Sequence, residues 1–267
     1  MKNKKLEESW FREIKKGKKG ANIKKLEYIL ALKCDINAVD GRTGETALMI
    51  MAKAGNVEMV DYLLKKGANV NFKFVGRGGV NVQGDSALIY AVRYGHIEVA
   101  KKLIENGGNV NDKNLAGQSV LGVACYNNRE DMVDLLISNG ADVNYYNRVV
   151  GRNILMLACE KASYGVVEKI IKAKAKLNKT NDLGMSALWY AVSRENKDGD
   201  EDKDREQRKI IYLLAKSGID IKGDKYYDIY SKRLKRLWAK GNREYLKSIG
   251  KDVSVIGKIR KMFVFSK

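Results

Sequence analysis

The chain has 267 residues, 45% hydrophobic and 31% charged, which suits a folded protein with a sizeable core. No apolar run approaches the roughly 20 residues a membrane-spanning helix needs, and three cysteines without metal-ligand spacing read as reduced thiols. The formal net charge of +19 points to anionic partners, unless the lysine-rich, proline-free composition is a bias of the source genome.

The N-terminus, "MKNKKLEESWFREIKKGKKG", is basic and has no apolar h-region, so no cleaved signal peptide is expected. Helices are expected near 5–16 and 22–32. The phrase "KCDIN" (33–37) follows, and it returns as "GANVN" (67–71), "GGNVN" (107–111), "GADVN" (140–144), "KAKLN" (174–178) and "GIDIK" (218–222). The step from Gly107 to Gly140 is 33 residues and that from Gly140 to Lys174 is 34, whereas the steps 67 to 107 and 174 to 218 hold insertions.

Each return phrase closes an amphipathic stripe such as Val57, Val60, Leu63 and Leu64, or Ile97, Ala100, Leu103 and Ile104. A shorter helix precedes each stripe: "TALMIMAKAG" (46–55), "SALIYAVRYG" (86–95), "SVLGVACYNN" (119–128), "NILMLACEKA" (153–162) and "SALWYAVSRE" (186–195). These open on Thr46, Ser86, Ser119, Asn153 and Ser186, whose side-chain oxygens can accept from a free N–H of the first turn. Gly67, Gly107, Gly140 and Gly218 fit a helix stop with positive φ, and Lys174 in that place predicts strain.

Two insertions break the period. "FKFVGRGGVNVQGD" (72–85) reads as an elongated β-hairpin finger; it lacks the Lys-Ser/Thr of a phosphate loop. "ENKDGDEDKDREQRK" (195–209) alternates aspartates, but Lys203 stands where a calcium loop needs glycine, so a solvated, mobile charged loop is expected. From Lys222 on, basic residues dominate, and a helical cap at 223–250 precedes a basic and apolar tail, 251–267.

Paired helices, a glycine turn and an extended exit at a period near 33 resemble the ankyrin-repeat family. Residues 84–111, "GDSALIYAVRYGHIEVAKKLIENGGNVN", carry the resemblance most fully, and it extends over about 20–222. It implies an all-α solenoid of stacked helix-turn-helix units with short β-hairpin-like fingers. One domain over 1–250 is expected, with five repeats at 41–72, 73–112, 113–145, 146–179 and 180–222 and an atypical unit at 1–40. The family's histidine, which ties adjacent loops, is replaced by Met49, Ile89, Gly122, Met156 and Trp189, so those ties are expected to be missing.

The resemblance also implies a non-enzymatic protein that binds a protein partner through finger tips and a concave groove lined by first helices. Carried over residue by residue, that face holds Arg42, Lys53, Arg93, Tyr94, Tyr126, Tyr146, Arg152, Lys161, Trp189 and Arg194. Neighbours on the same face include Glu45, Asp85, Gln118, Asn127, Arg148, Glu160, Met185 and Ser193. Tyr, Trp and Arg are the residues enriched at binding hot spots. No catalytic, cofactor-binding or metal residue is expected. His96, the only histidine, sits in the "G-H-x-E" turn of the template, and Cys125 and Cys159 take equivalent core positions. The alternative partner is anionic: nucleic acid, oligonucleotide or anionic lipid, held by the basic surface. A cytoplasmic monomer is expected, with a secreted effector left open.

Overall fold

Five first helices open on the side chains that the sequence marks as caps. Thr46, Ser86, Asn153 and Ser186 accept from the backbone N–H of Met49, Ile89, Met156 and Trp189, and Ser119 accepts from Gly122. Each cap satisfies one of the donors a helix start leaves open, worth about 1 kcal/mol. The computed structural model describes residues 2–17, 22–73, 84–194 and 200–220. The middle of the expected finger (74–83), the C-terminal cap and the tail lie outside the described residues.

Backbone contacts group into two units, Met1–Ala124 with Asp134–Ala141, and Cys125–Val133 with Asp142–Lys267. In the first unit lie α1 (Lys2–Ile14), α2 (Ile23–Ala31), α3 (Ala47–Ala54), α4 (Val57–Lys65), α5 (Ala87–Tyr94) and α6 (Ile97–Glu105). First helix α3 packs on first helix α5, and second helix α4 on second helix α6. The apolar stripes face inward: Leu48, Met49, Leu63, Leu88, Ile89 and Leu103 are all buried, as are Trp10, Ile14 and Leu26 of the leading pair. Burying each such side chain contributes roughly 2 kcal/mol. Helices α7 (Val120–Tyr126) and α8 (Glu130–Ser138) are divided between the units.

The second unit adds a hairpin, β1 (Tyr146–Asn147) and β2 (Arg152–Asn153), paired antiparallel with Tyr146 opposite Asn153. It continues with α9 (Ile154–Lys161), α10 (Tyr164–Lys172), α11 (Ala187–Val192) and α12 (Glu201–Lys216). The packing rule repeats, α9 on α11 and α10 on α12. Single bridges, Val39 to Thr46 and Lys113 to Ser119, mark shorter fingers in the first unit.

The charged insertion corrects an expectation. Residues 201–209 are helix, not a mobile loop, and α12 reaches 16 residues where α4, α6, α8 and α10 have nine. Asp200 accepts from the N–H groups of Asp202 and Lys203, and Glu201, Asp202 and Asp204 fill the first turn, where the helix dipole favours negative charge. Further along, buried Gln207 donates through Nε2 to the carbonyls of Ala191 and Val192 at 2.8 and 2.9 Å, closing the end of α11.

The stop glycines take the expected left-handed conformation, with φ between +83° and +91° at Gly67, Gly107, Gly140 and Gly218. Lys174 adopts it too, at φ +63°, as does Lys33 in the leading unit. Loop ties that histidine does not supply come from the asparagine that closes five of the six return phrases. Asn37 Oδ1 accepts from Asn69 N–H, Asn71 from Asn109, Asn144 from Lys176 and Asn178 from Asp220, at 2.7 to 2.9 Å. Asn71 and Asn111 also donate to the carbonyls of Gly107 and Gly140. A primary amide serves because it carries both donor and acceptor.

Candidate protein-recognition surface

In the first unit two cations of the surface, Lys53 and Arg93, are tied to buried carboxylates. Glu45 and Asp85 each sit one residue before a cap, and Lys53 and Arg93 stand eight residues further, in the last turns of α3 and α5. Lys53 Nζ meets Glu45 at 3.1 Å. The Arg93 guanidinium contacts both oxygens of Asp85 at 2.8 to 3.1 Å, a forked geometry that fixes its plane. Asp85 also accepts from Asn114 Nδ2 at 2.8 Å. Acid before a helix and base at its end both suit the helix dipole.

These pairs frame an aromatic row. The Lys53 ammonium lies 5.3 Å from the centroid of the Tyr90 ring, Tyr90 stacks on Tyr94 at 6.4 Å, and Tyr94 on His96 at 6.5 Å. Burial, then the hydrogen bond to Glu45, pushes the Tyr90 phenol well above its ordinary pKa, so it stays neutral. Tyr94 remains 47% exposed and is the part of the row a partner can reach. Arg42 is apart from it, exposed at the tip of the first finger, where its N–H donates to Asp40.

His96 belongs to the scaffold. Its Nε2 lies 3.1 Å from the Lys53 carbonyl, a bond for which that nitrogen carries the proton. Its ring fills the place of a side chain at Gly55, where a Cβ would come within 2.5 Å of the imidazole. Cys125 and Cys159 are fully buried, and burial pushes both thiols up to about 12, which suits packing rather than nucleophilic chemistry.

In the second unit Arg152 and Glu160 occupy the two positions held by acid and base in the first, with the charges exchanged. Arg152 Nη1 meets Glu160 at 2.6 Å, Lys161 meets the same carboxylate at 3.2 Å, and Arg152 Nε donates to the Tyr190 hydroxyl at 3.3 Å. The guanidinium lies 5.1 Å from the Tyr190 ring centroid. Trp189 packs edge-on against Tyr190 at 4.9 Å, and the Lys179 ammonium lies 5.3 Å from the Tyr146 ring centroid. Tyr126, at the end of α7, is 51% exposed. Arg194 turns inward instead, donating to the Ala162 carbonyl at 2.7 Å just past the end of α9, and burial lowers its pKa.

So Lys53, Arg93 and Tyr94 come together in one cluster, and Tyr146, Arg152, Lys161 and Trp189 in another. Sequence reasoning missed the platforms under them, Tyr90 and Tyr190. The signal was present, since both follow their cap by four residues in the same "SAL-x-Y" phrase.

Three overlapping copies of the ankyrin-repeat model match residues 17–114, 72–147 and 121–224. The chain belongs to the ankyrin-repeat family. Among curated proteins it is similar to ankyrin repeat and SOCS box protein 6 of Homo sapiens, 30% identical over 177 residues, and to that of Pongo abelii at 29%. Each match takes in 66% of this chain and 32% of the relative, so the chain spans about a third of the length of these relatives. Among solved structures, an ankyrin repeat domain from Acinetobacter baumannii AYE superposes with a TM-score of 0.63 at 25% identity, over 79% of this chain and 99% of that one. Ankyrin repeats generally mediate protein–protein interaction. Among the described residues of this ankyrin-repeat chain, no helix is long and apolar enough to cross a membrane.

Proposed function

We propose that this ankyrin-repeat protein acts without chemistry of its own, by binding a protein partner on its finger tips and first-helix ends. The observation that carries this reading is that each unit holds a half-exposed aromatic at a first-helix end, Tyr94 in the first and Tyr126 in the second. Large amphipathic rings held on rigid elements contribute contact area at low entropic cost, as at hot spots. Arg42, Lys53 and Arg93 add to the proposed contacts of the first unit, Tyr146, Arg152, Lys161 and Trp189 to those of the second, and Arg194 is assigned to helix capping. An acidic partner suits the net charge of +19, which would speed encounter. Three free thiols fit a reducing, cytoplasmic setting.

A pull-down at low and high salt, followed by titration of the captured partner, tests the reading. Tyr94→Ala, Tyr126→Ala and Trp189→Ala should each weaken that partner about tenfold or more. His96→Ala should lower stability and leave affinity near wild type. Unchanged affinity in all three aromatic variants would move the site elsewhere. Binding that vanishes at high salt and extends to any polyanion would favour the nucleic-acid or lipid alternative.

A further inference from the structure

The fingers of the second unit end in aliphatic side chains that the fold leaves in water. Val149 and Val150 are 70% and 52% exposed, and Leu183, on the next finger, is 59% exposed. Single exposed aliphatics are ordinary, but here two consecutive fingers each end in them, and apolar groups kept in water on adjoining turns mark interaction sites. The first finger of the chain, "DGRTGE" (40–45), has only polar residues at its tip.

Both tips are held in one conformation. Buried Asn147 accepts through Oδ1 from the N–H groups of Val149 and Val150, at 2.9 and 3.4 Å. Buried Asn181 does the same for Leu183 and Met185, at 3.1 and 2.8 Å. The Lys179 ammonium over the Tyr146 ring links the two fingers at their bases. Apolar groups presented on pre-ordered turns lose little entropy when a partner covers them.

The surroundings are cationic. Arg148 and Lys179, both exposed, belong to these fingers, and across residues 145–152 and 179–185 Asp182 is the one acid that stands against them. From this charge complementarity we infer that Val149, Val150 and Leu183, flanked by Arg148 and Lys179, form a docking edge for a peptide segment carrying aliphatic side chains among acidic ones. The inference rests on the protein-recognition reading and names the partner's chemistry. The aliphatics would anchor the segment, and the rim would select acidic over basic sequences, since like charges across an interface are penalised.

The test is selection of a displayed random-peptide library on the full chain, with affinities measured on V149S/V150S/L183S, on R148E/K179E and on Trp189→Ala. Enriched peptides should contain Leu, Ile or Val together with an excess of Asp and Glu. They should bind both finger variants about tenfold or more weakly, while circular dichroism and thermal midpoints stay at wild-type values. Enriched peptides that are basic or lack aliphatics, equal affinity for the serine variant, or no enrichment would each overturn the inference. If peptides lose affinity for Trp189→Ala but not for the finger variants, this inference fails and the recognition reading stands. If neither peptide nor pull-down partner responds to any substitution, both fail.

Discussion

The repeats at 73–112 and 146–179 hold the same charge pair in opposite order. Asp85 precedes α5 and Arg93 ends it, while Arg152 precedes α9 and Glu160 ends it. The first arrangement works with the helix dipole and the second against it, a difference of up to about 1 kcal/mol at each end. The reversed pair is compensated from outside the helix: Tyr190 gives Arg152 both a ring face and a hydroxyl acceptor. One geometric slot thus tolerates either polarity, provided the following repeat supplies the right neighbour.

The largest loss is expected from Asp85→Ala. Asp85 is buried, holds Arg93 by both oxygens and accepts from Asn114. Its loss takes away the carboxylate that Arg93 and Asn114 share and should cost about 3 kcal/mol in urea unfolding. Glu160→Ala should cost less, about 1 kcal/mol, because Arg152 keeps Tyr190. Equal losses would mean that the pair contributes the same whichever way it points.

Reciprocal swaps sharpen the point. D85R/R93D copies the reversed polarity without a tyrosine tuned to it, and should lose about 2 kcal/mol. R152E/E160R restores the dipole-favoured order but gives up the contact with Tyr190, and should stay within about 0.5 kcal/mol of wild type. A smaller change, Tyr190→Phe, removes the hydroxyl that accepts from Arg152 and from Asn181 Nδ2, with an expected loss of about 1 kcal/mol. It should spare the first unit's pairs, which hydrogen exchange can follow separately.

The stop positions extend the comparison to the backbone. Gly107 takes φ +83° freely, whereas Lys174 is held at +63°. Lys174→Gly should stabilise by about 0.5 kcal/mol, the strain relieved being partly offset by the entropy of a freer unfolded chain. The matching Gly107→Lys should destabilise by about 1 kcal/mol, read from the shift in denaturation midpoint.

Helix pairs, caps and stops were legible in the sequence because each is a local rule. Thr46, Ser86, Ser119, Asn153 and Ser186 bond within their own first turn, and the stop conformation needs only the residue that adopts it. The site was legible as positions, not as contacts. Arg93 and Arg194 look alike as basic ends of first helices, yet Arg93 returns to the carboxylate before its own helix and Arg194 reaches a carbonyl of the preceding repeat. The aspartate-rich stretch misled for a related reason. Asp200 makes a cap only if a helix follows, and "KDGDEDKD" has no apolar periodicity until Ile210 and Ile211 are buried against a neighbour.

The repeat, its period near 33, the apolar stripes and the scaffold place of His96 can be read along the chain, because repetition exposes the residues that serve the template. Folding settles which cations are neutralised, which asparagines tie one loop to the next, and which aliphatics, Val149, Val150 and Leu183, stay in water. The ion pairs close over eight residues once the helix between them forms, and the loop ties and the further partners of Asp85 and Arg152 come from residues roughly one repeat away in the chain. A pattern read along a single repeat carries no information about the side chain that the next repeat brings against it.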